Sequence, residues 1–566
     1  MPEDSLTSID NTHSAVVNAD AESRPRTVDR RRFLRAAAAT TAGGAFWLST
    51  ACFGDDDAKP APAAATAAAV PPRRGGVLRM GQPADLSLAA GHPFALVSQN
   101  RILGYAASET LVQYLGNLNP QPLLAERFEV SPDFRRAVVT LKPGVQFHNG
   151  APVTSDDVAF SVQTVQDPAS AGLPAAAQFE LSAFARAISD IKVADARTVE
   201  FTFSQPRANL VDFFAQLHIA QRASFKDIPQ GTVAGTGPFM LKQWDKGRGY
   251  RLERFPNWHG AGSDGRPYLD AIEVSLFPDQ TAAMIAFRGG TLDAFLAVGA
   301  PNAGPLRASG QTRIAGKTGM NYLGVNVSNP LLSDPRVRQA MFYAIDRGRM
   351  MRDVGWDFGT VTTQPWAAIS PAFDPAREAP SYDPKRATDL LALAGFQQDR
   401  DLVIEYAAGI SLQELQAHLI QSDLRAVGIA TRLQAVEGGN YTVRYRTRQF
   451  PDFWIAGHVS GDVTPLTLFQ QTFEFRPAAN TSSFEDARYS ELVKRLEDAP
   501  PRSPEATGIY KQLNQIMAEN PFVIPTGIPQ VRIDLVQDRV AGWPAKPEEY
   551  AIAVTGKVGF ADVWLS

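Results

Sequence analysis

Residues 125–160 read AERFEVSPDFRRAVVTLKPGVQFHNGAPVTSDDVAF. Phe128 and Val130 alternate with polar neighbours, the pattern of a half-buried strand. Ser131-Pro132-Asp133 has turn chemistry, and Ala137, Val139 and Leu141 alternate again, so the two strands form a hairpin. Lys142-Pro143-Gly144 and His148-Asn149-Gly150 are turns on either side of a short strand, Val145 to Phe147. Thr154 then caps a helix with Asp157 as its reciprocal partner, and Val158, Val162 and Val165 share one helical face. Asp156 and Asp157 are therefore cap carboxylates rather than an acid/base pair.

The same stretch carries a family likeness. Leu141, Pro143, Gly144, Val145, Phe147, His148, Gly150, Pro152, Val153, Thr154, Asp156, Asp157 and Val158 follow a run typical of the family 5 extracellular solute-binding proteins. These are the dipeptide, oligopeptide and nickel receptors of bacterial ABC importers. Further segments resemble that family: Gly75-Gly76-Val77-Leu78, Ser108 to Val112, Gly235 to Phe239, Pro267 to Asp270, Arg336 to Ala340, Ala344 to Arg347 and Tyr382 to Phe396. The likeness spans about Gly75 to Ser566. It implies an α/β, periplasmic-binding-protein-like fold: two mixed-sheet lobes with a hinge, plus an inserted α+β domain. The expected division is lobe I from 75–115, 230–300 and 525–566, inserted domain II at 116–229, and lobe III at 301–524. By the resemblance, domain II sits away from the two gripping lobes. The hinge is expected near Val298 and Ile524.

Local patterns agree with that division. Asn100 to Leu115 reads as one helix, and Val193 to Phe203 as two strands around Asp195-Ala196-Arg197. Asp279, Asp334 and Asp383 are helix caps, the last two followed by proline at the first helical position. Leu402 to Tyr406, Leu412 to Val427 and Ile429 to Val436 form a strand-helix-strand unit, hence a parallel pair with a right-handed crossover. The glycines of Gly235-Thr236-Gly237-Pro238 allow positive φ in the turn, and Pro238 fixes its exit. Gly316-Lys317-Thr318 fails as a phosphate loop, because the leading glycine would fall on Gln311.

At 566 residues the chain exceeds one core, and a net charge of −4 gives no electrostatic footprint for nucleic acid. Residues 1–51 read as an export signal: Arg30-Arg31-Arg32-Phe33-Leu34-Arg35 resembles a twin-arginine motif, and the run after it is short for a spanning helix. The sole cysteine, Cys52, follows Leu48-Ser49-Thr50-Ala51, where a lipoprotein signal carries its lipidated cysteine, although Ser49 departs from the usual leucine. Residues 52–74, rich in alanine and proline, read as a tether. A lone cysteine excludes an internal disulfide and a CxxC site.

The ligand residues come from the resemblance. In peptide-binding members a strand runs into a glycine and an aspartate that pairs with the peptide ammonium. Here Phe453 to Gly457 is that strand, and His458, Gly461 and Asp462 follow it. A buried ammonium requires such a fixed carboxylate. The family's tryptophan is replaced by His458, and the acidic residue beyond the aspartate is missing. Tyr322, Trp366 and Trp356 are candidate stacking platforms. The seven histidines form no spaced ligand pair, so no metal site and no cofactor are assigned. GxSxG, HExxH and Cys/His nucleophile patterns are absent. The expected function is a monomeric extracytoplasmic receptor that delivers a solute, a peptide by the resemblance, to an ABC permease. A metal chelate or sugar is the alternative, and an exported enzyme is the less favoured third reading.

Overall fold

A computed structural model describes residues 71–88, 92–94, 98–114, 119–173, 181–359, 361–377, 382–458, 464–544 and 557–566. The expected export signal and Cys52 lie outside the described residues, as do Gly461 and Asp462.

The hairpin forms as its alternation requires. Ala125–Val130 pairs antiparallel with Arg136–Leu141, with Phe128 opposite Val139. Ala137, Val139 and Leu141 are buried on one face. Thr154 and Asp157 cap helix Ser155–Gln166: the Thr154 N–H donates to Asp157 Oδ2 at 3.0 Å. The other Asp157 oxygen accepts from the Arg222 N–H at 3.0 Å, so the cap also pins a distant segment. Val158, Val162 and Val165 are fully buried against a four-stranded sheet completed by Ile188–Val193 and Thr198–Phe203. These elements share one core, which runs from Leu111 to Ile219 and falls on the expected inserted domain. It ends earlier than the expected boundary at 229, because Ala220, Phe225 and Ile228 join the core of lobe I.

The expected helix from Asn100 to Leu115 is only Arg101–Ala107. Ser108 turns to extended backbone, and Val112–Tyr114 is a strand. The reason is tertiary. Glu109 is drawn to Trp258 and His259, and Thr110 bridges to His218. β-Branched Thr110 and Val112 offer little helical preference to resist this.

One ten-stranded sheet runs through both lobes. Its lobe III end has Leu402–Ala407 parallel to Thr431–Val436 across helix Ser411–Ala426, as the crossover rule requires. Phe453–His458 lies parallel to Leu402–Ala407 and antiparallel to Thr312–Val325. Its lobe I end has Val77–Gln82 between Ala271–Leu276 and Ala294–Phe295, both parallel to it. Two 14-residue strands, Thr312–Val325 and Val523–Val536, join the ends. They pair from Thr312 opposite Leu535 to Gly324 opposite Val523, with register shifts between Ile314 and Tyr322. The two residues near which the hinge is expected lie along this crossing. Ile524 is opposite Leu323, and the Val298 N–H donates to the Ile533 carbonyl at 2.8 Å. Gly316, Lys317 and Thr318 fall inside a crossing strand, not in a loop before a helix.

The glycines at 235 and 237 serve a different purpose from the one expected. Neither has positive φ. A Cβ on Gly235 would lie 1.8 Å from the Ala107 carbonyl oxygen, and one on Gly237 would lie 2.5 Å from that of Ala106. They are glycine because the backbone passes directly against the end of helix Arg101–Ala107.

Candidate functional site: the seam between the inserted domain and lobe III

Asn209 to Leu217 reads NLVDFFAQL, an apolar run with one carboxylate in it. Helix Leu210–Gln216 turns Phe213 and Phe214 into the inserted-domain core. Asp212 is turned inward as well, with only 5% of its surface exposed. An ionised carboxylate at such a place is costly unless donors surround it. Its donors are three hydroxyls. Tyr114 Oη donates to Oδ1 at 2.8 Å, Thr464 Oγ1 to Oδ1 at 2.9 Å, and Thr467 Oγ1 to Oδ2 at 2.5 Å. Burial pushes the carboxyl up to about 6, against the opposing pull of these hydroxyls.

Thr464 and Thr467 belong to lobe III, so this cluster is a joint across domains. Asn209 Nδ2 adds bonds to Thr467 Oγ1 at 2.9 Å and Gln470 Oε1 at 3.0 Å. The Ala208 N–H donates to the Glu497 carbonyl at 2.8 Å, and Arg502 reaches Asn119 at 3.4 Å. The inserted domain therefore does not stand away from the gripping lobes, as the family likeness implied. It touches lobe III directly.

The other wall is built on strand Phe453–His458. Alternation sends Phe453 and Ile455 to one core, and Trp454 and Ala456 to the other. His458 shares the register of Trp454 and packs against the rings of Tyr322 at 6.1 Å and Phe475 at 5.4 Å. Beneath them lies Glu474, fully buried. It accepts from Trp454 Nε1 at 3.0 Å and from the Tyr445 hydroxyl, which lies 3.4 Å from that of Tyr322. Burial raises the Glu474 carboxyl, and the two donors offset part of that rise. The chain between His458 and Thr464 carries Gly461 and Asp462. Its two described ends are thus fixed, one in an aromatic box and the other on Asp212.

The candidates separate accordingly. His458 and Tyr322 come together in the box. Trp366 does not join them: it is fully buried in the lobe III core, edge-on to Phe469, with its indole N–H donated to Asn514 at 2.7 Å. Neither Trp366 nor Tyr322 shows a ring face to solvent, so neither is an open stacking platform in this state. Trp356 is 41% exposed, but its indole lies against Gly304. Asp212, Asn209, Thr464, Thr467 and Glu474 were missed. Asp212 had a readable signal, a carboxylate inside an apolar helical run; the others are ordinary polar residues that matter only through what they meet.

His92 and His218, 126 residues apart in the chain (218 minus 92), were not a spaced pair in the sequence. In the fold, after burial itself, Lys557 and then His92 disfavour the charged form of His218. Burial pushes His92 down to about 4 and His218 well below the usual imidazole range. Both ring nitrogens of His92 and Nδ1 of His218 are buried without a hydrogen-bond partner. A separate cavity of about 370 Å³ lies in lobe III among Phe342, Tyr343, Arg386, Met517 and Val523. It shares no residue with the seam or the aromatic box.

The family model of bacterial extracellular solute-binding proteins, family 5 (middle region), matches residues 119–479. The chain belongs to this family. This family 5 solute-binding protein is 25% identical over 495 residues to "Probable di/tripeptide-binding protein 5" of Pseudomonas aeruginosa, covering 81% of this chain and 90% of that one. Its fold matches a Helicobacter pylori periplasmic binding protein, DppA, solved with the peptide STSA (TM-score 0.71, 21% identity, 87% of this chain and 98% of that one). It also matches Brucella suis NikA solved with Fe(III)-EDTA (TM-score 0.72, 20% identity, 87% and 100%). The lobed, mixed α/β architecture is thus that of an ABC-import solute-binding protein. Among the described residues, no helix is long and apolar enough to cross a membrane, and no group of three or more His, Cys, Asp or Glu could hold a metal ion.

Proposed function

We propose that this protein captures a short peptide with a free amino terminus between its lobes and hands it to an ABC permease. Capture without chemical change is its task. The supporting observation is the seam itself. Lobe III meets the inserted domain at the Thr464 end of the segment that carries Asp462, the position where the family likeness puts the ammonium partner, and the aromatic box of lobe III holds its His458 end. His458 and Gly461 would shape that segment, and Tyr322 would support it from the aromatic box. Closure about the crossing strands is a population shift, driven only by contacts the solute makes better in the closed state.

The receptor would leave the cell through its twin-arginine signal, take a lipid on Cys52, and work as a monomer on the Ala/Pro tether outside the membrane. Fatty-acid labelling of the expressing cells checks the anchor: the label should disappear with Cys52→Ser.

The solute reading is tested by thermal shift with a panel of free-amine di- and tripeptides, then calorimetry on the best one. Asp462→Ala should weaken that peptide at least about 30-fold, the cost of stranding a buried charge. Blocking the peptide's amine with an acetyl group should do the same to the unaltered protein. Equal affinity in either case removes Asp462 from the site.

One observation favours a second solute class. Three buried imidazole nitrogens without partners, on His92 and His218, are the donor type that completes the coordination of a metal chelate. A shift with Ni(II) or Fe(III) chelates that is lost in His218→Ala, and none with peptides, would select it.

A further inference from the structure

We infer that Asp212 is the clasp by which the inserted domain holds lobe III shut, and that in mildly acid conditions closing it takes up a proton from solvent. Asp212 and Tyr114 lie in the inserted domain, and Thr464 and Thr467 in lobe III. Movement at the crossing strands would pull these two groups apart. Asp212 would then face water and ionise like an ordinary aspartate.

In the closed protein its surroundings hold no compensating cation. Tyr114 faces it from strand Val112–Tyr114, and Thr464 and Thr467 from lobe III. Tyr510 approaches from helix Pro504–Glu519. Arg502 acts on Tyr114 and bonds Asn119 rather than Asp212. Arg207 and Glu497, at the edge of the seam, act on one another. Among the described residues no salt bridge reaches Asp212. Three neutral hydroxyl donors around a buried acid suit the protonated form far better than a guanidinium would.

The sign follows from linkage. The closed-state value is about 6, and an exposed aspartate titrates near ~3.9. A value raised on closing favours closure fully below the open-state value, and that benefit fades as pH rises through the closed-state value. The closed-to-open ratio should therefore fall about 10-fold between pH 5 and pH 8, the ratio set by these two values. Asp212 also becomes a positioning residue for the solute segment, since Thr464 follows that segment directly.

The test needs no solute, so it stands apart from the peptide reading, although it rests on two-lobe closure. Spin labels go on Lys192→Cys in the inserted domain and Glu491→Cys in lobe III, both exposed, in full-length protein carrying Cys52→Ser. Pulsed electron-electron distances are then read from pH 5 to pH 8. The short-distance fraction should fall with pH in the parent. It should lose most of that slope in Asp212→Asn, which keeps polar atoms at the clasp but cannot ionise. Glu497→Gln, which removes a second carboxyl that burial raises at the edge of the seam, should lessen the slope without abolishing it. A parent fraction that does not move with pH overturns the inference, as does a slope that survives Asp212→Asn undiminished or disappears in Glu497→Gln.

Discussion

Asp293 and Asp212 are both carboxylates buried from solvent, and they are held by opposite means. Asp293, in lobe I, takes the Arg79 backbone N–H at 2.8 Å, the Arg79 guanidinium at 3.0 Å and Arg539 Nε at 2.6 Å. Arg532 on Asp534 and Arg400 on Asp452 repeat the pattern. Each of these joints stays within one lobe or one crossing strand. Asp212, between domains, has hydroxyls only. A guanidinium–carboxylate joint strands desolvated charge when it breaks, so it suits contacts made once, during folding. A joint of hydroxyls around an acid that can take a proton separates at far lower cost. Glu474 is the other buried carboxylate among those described with neither an ionic partner nor a helix to cap, and it accepts from Trp454 on the strand that ends at His458.

The sharpest test of this contrast is Asp293→Ala. Two guanidinia and a backbone N–H lose their shared acceptor, at a cost of about 3 kcal/mol. A urea melt should show that loss, while the spin-label distances of any remaining folded protein stay as in the parent. A variant that instead shifts the closed fraction would place Asp293 in the moving parts and break the comparison.

Glu474 comes next. Glu474→Ala strands the Trp454 N–H and the Tyr445 hydroxyl, at about 2 kcal/mol. Glu474→Gln keeps an acceptor and should cost about half as much. Both are measured as urea midpoints. If the two variants lose equally, the negative charge rather than the acceptor is what the box needs, and Glu474 joins the charge-paired class.

The legible parts of this protein were those fixed by local chemistry. The hairpin Ala125–Leu141, the caps at Thr154, Asp279, Asp334 and Asp383, and the parallel pair across Ser411–Ala426 all follow from patterns within a few residues. The helix from Asn100 was overextended because Glu109 and Thr110 answer to partners about 110 to 150 residues away. The role of Gly235 was misread for a related reason. A glycine needed for positive φ and one needed for close approach look alike in sequence; only the Ala107 carbonyl tells them apart. The site was half legible. The pattern of Phe453 to Gly457 announced the strand that ends at His458, but nothing within lobe III announces that Thr464 and Thr467 meet Asp212. Trp366 illustrates the converse. A large aromatic near the expected cleft is attractive as a platform, yet its indole N–H is already spent on Asn514 in the core.

Asn209 gives the smallest effect and the finest discrimination. It precedes helix Leu210–Gln216 at the N-cap position, but its side chain makes no cap bond there. Both bonds from Nδ2 cross the seam instead, to Thr467 and Gln470. An N-cap asparagine that capped its helix would cost about 1 kcal/mol of domain stability on change to alanine. Here that term is absent, so Asn209→Ala should leave the melting temperature nearly unchanged. What it removes is two hydrogen bonds to lobe III, which opening at the crossing strands would break. The closed-to-open ratio should fall about 5-fold, the equivalent of one net hydrogen bond. The fall should be the same at pH 5 and pH 8, because no ionisable group is altered. A drop in melting temperature with an unchanged closed fraction would mean that Asn209 serves its own domain, and the seam would then rest on the Asp212 hydroxyls with the Ala208 and Arg502 contacts.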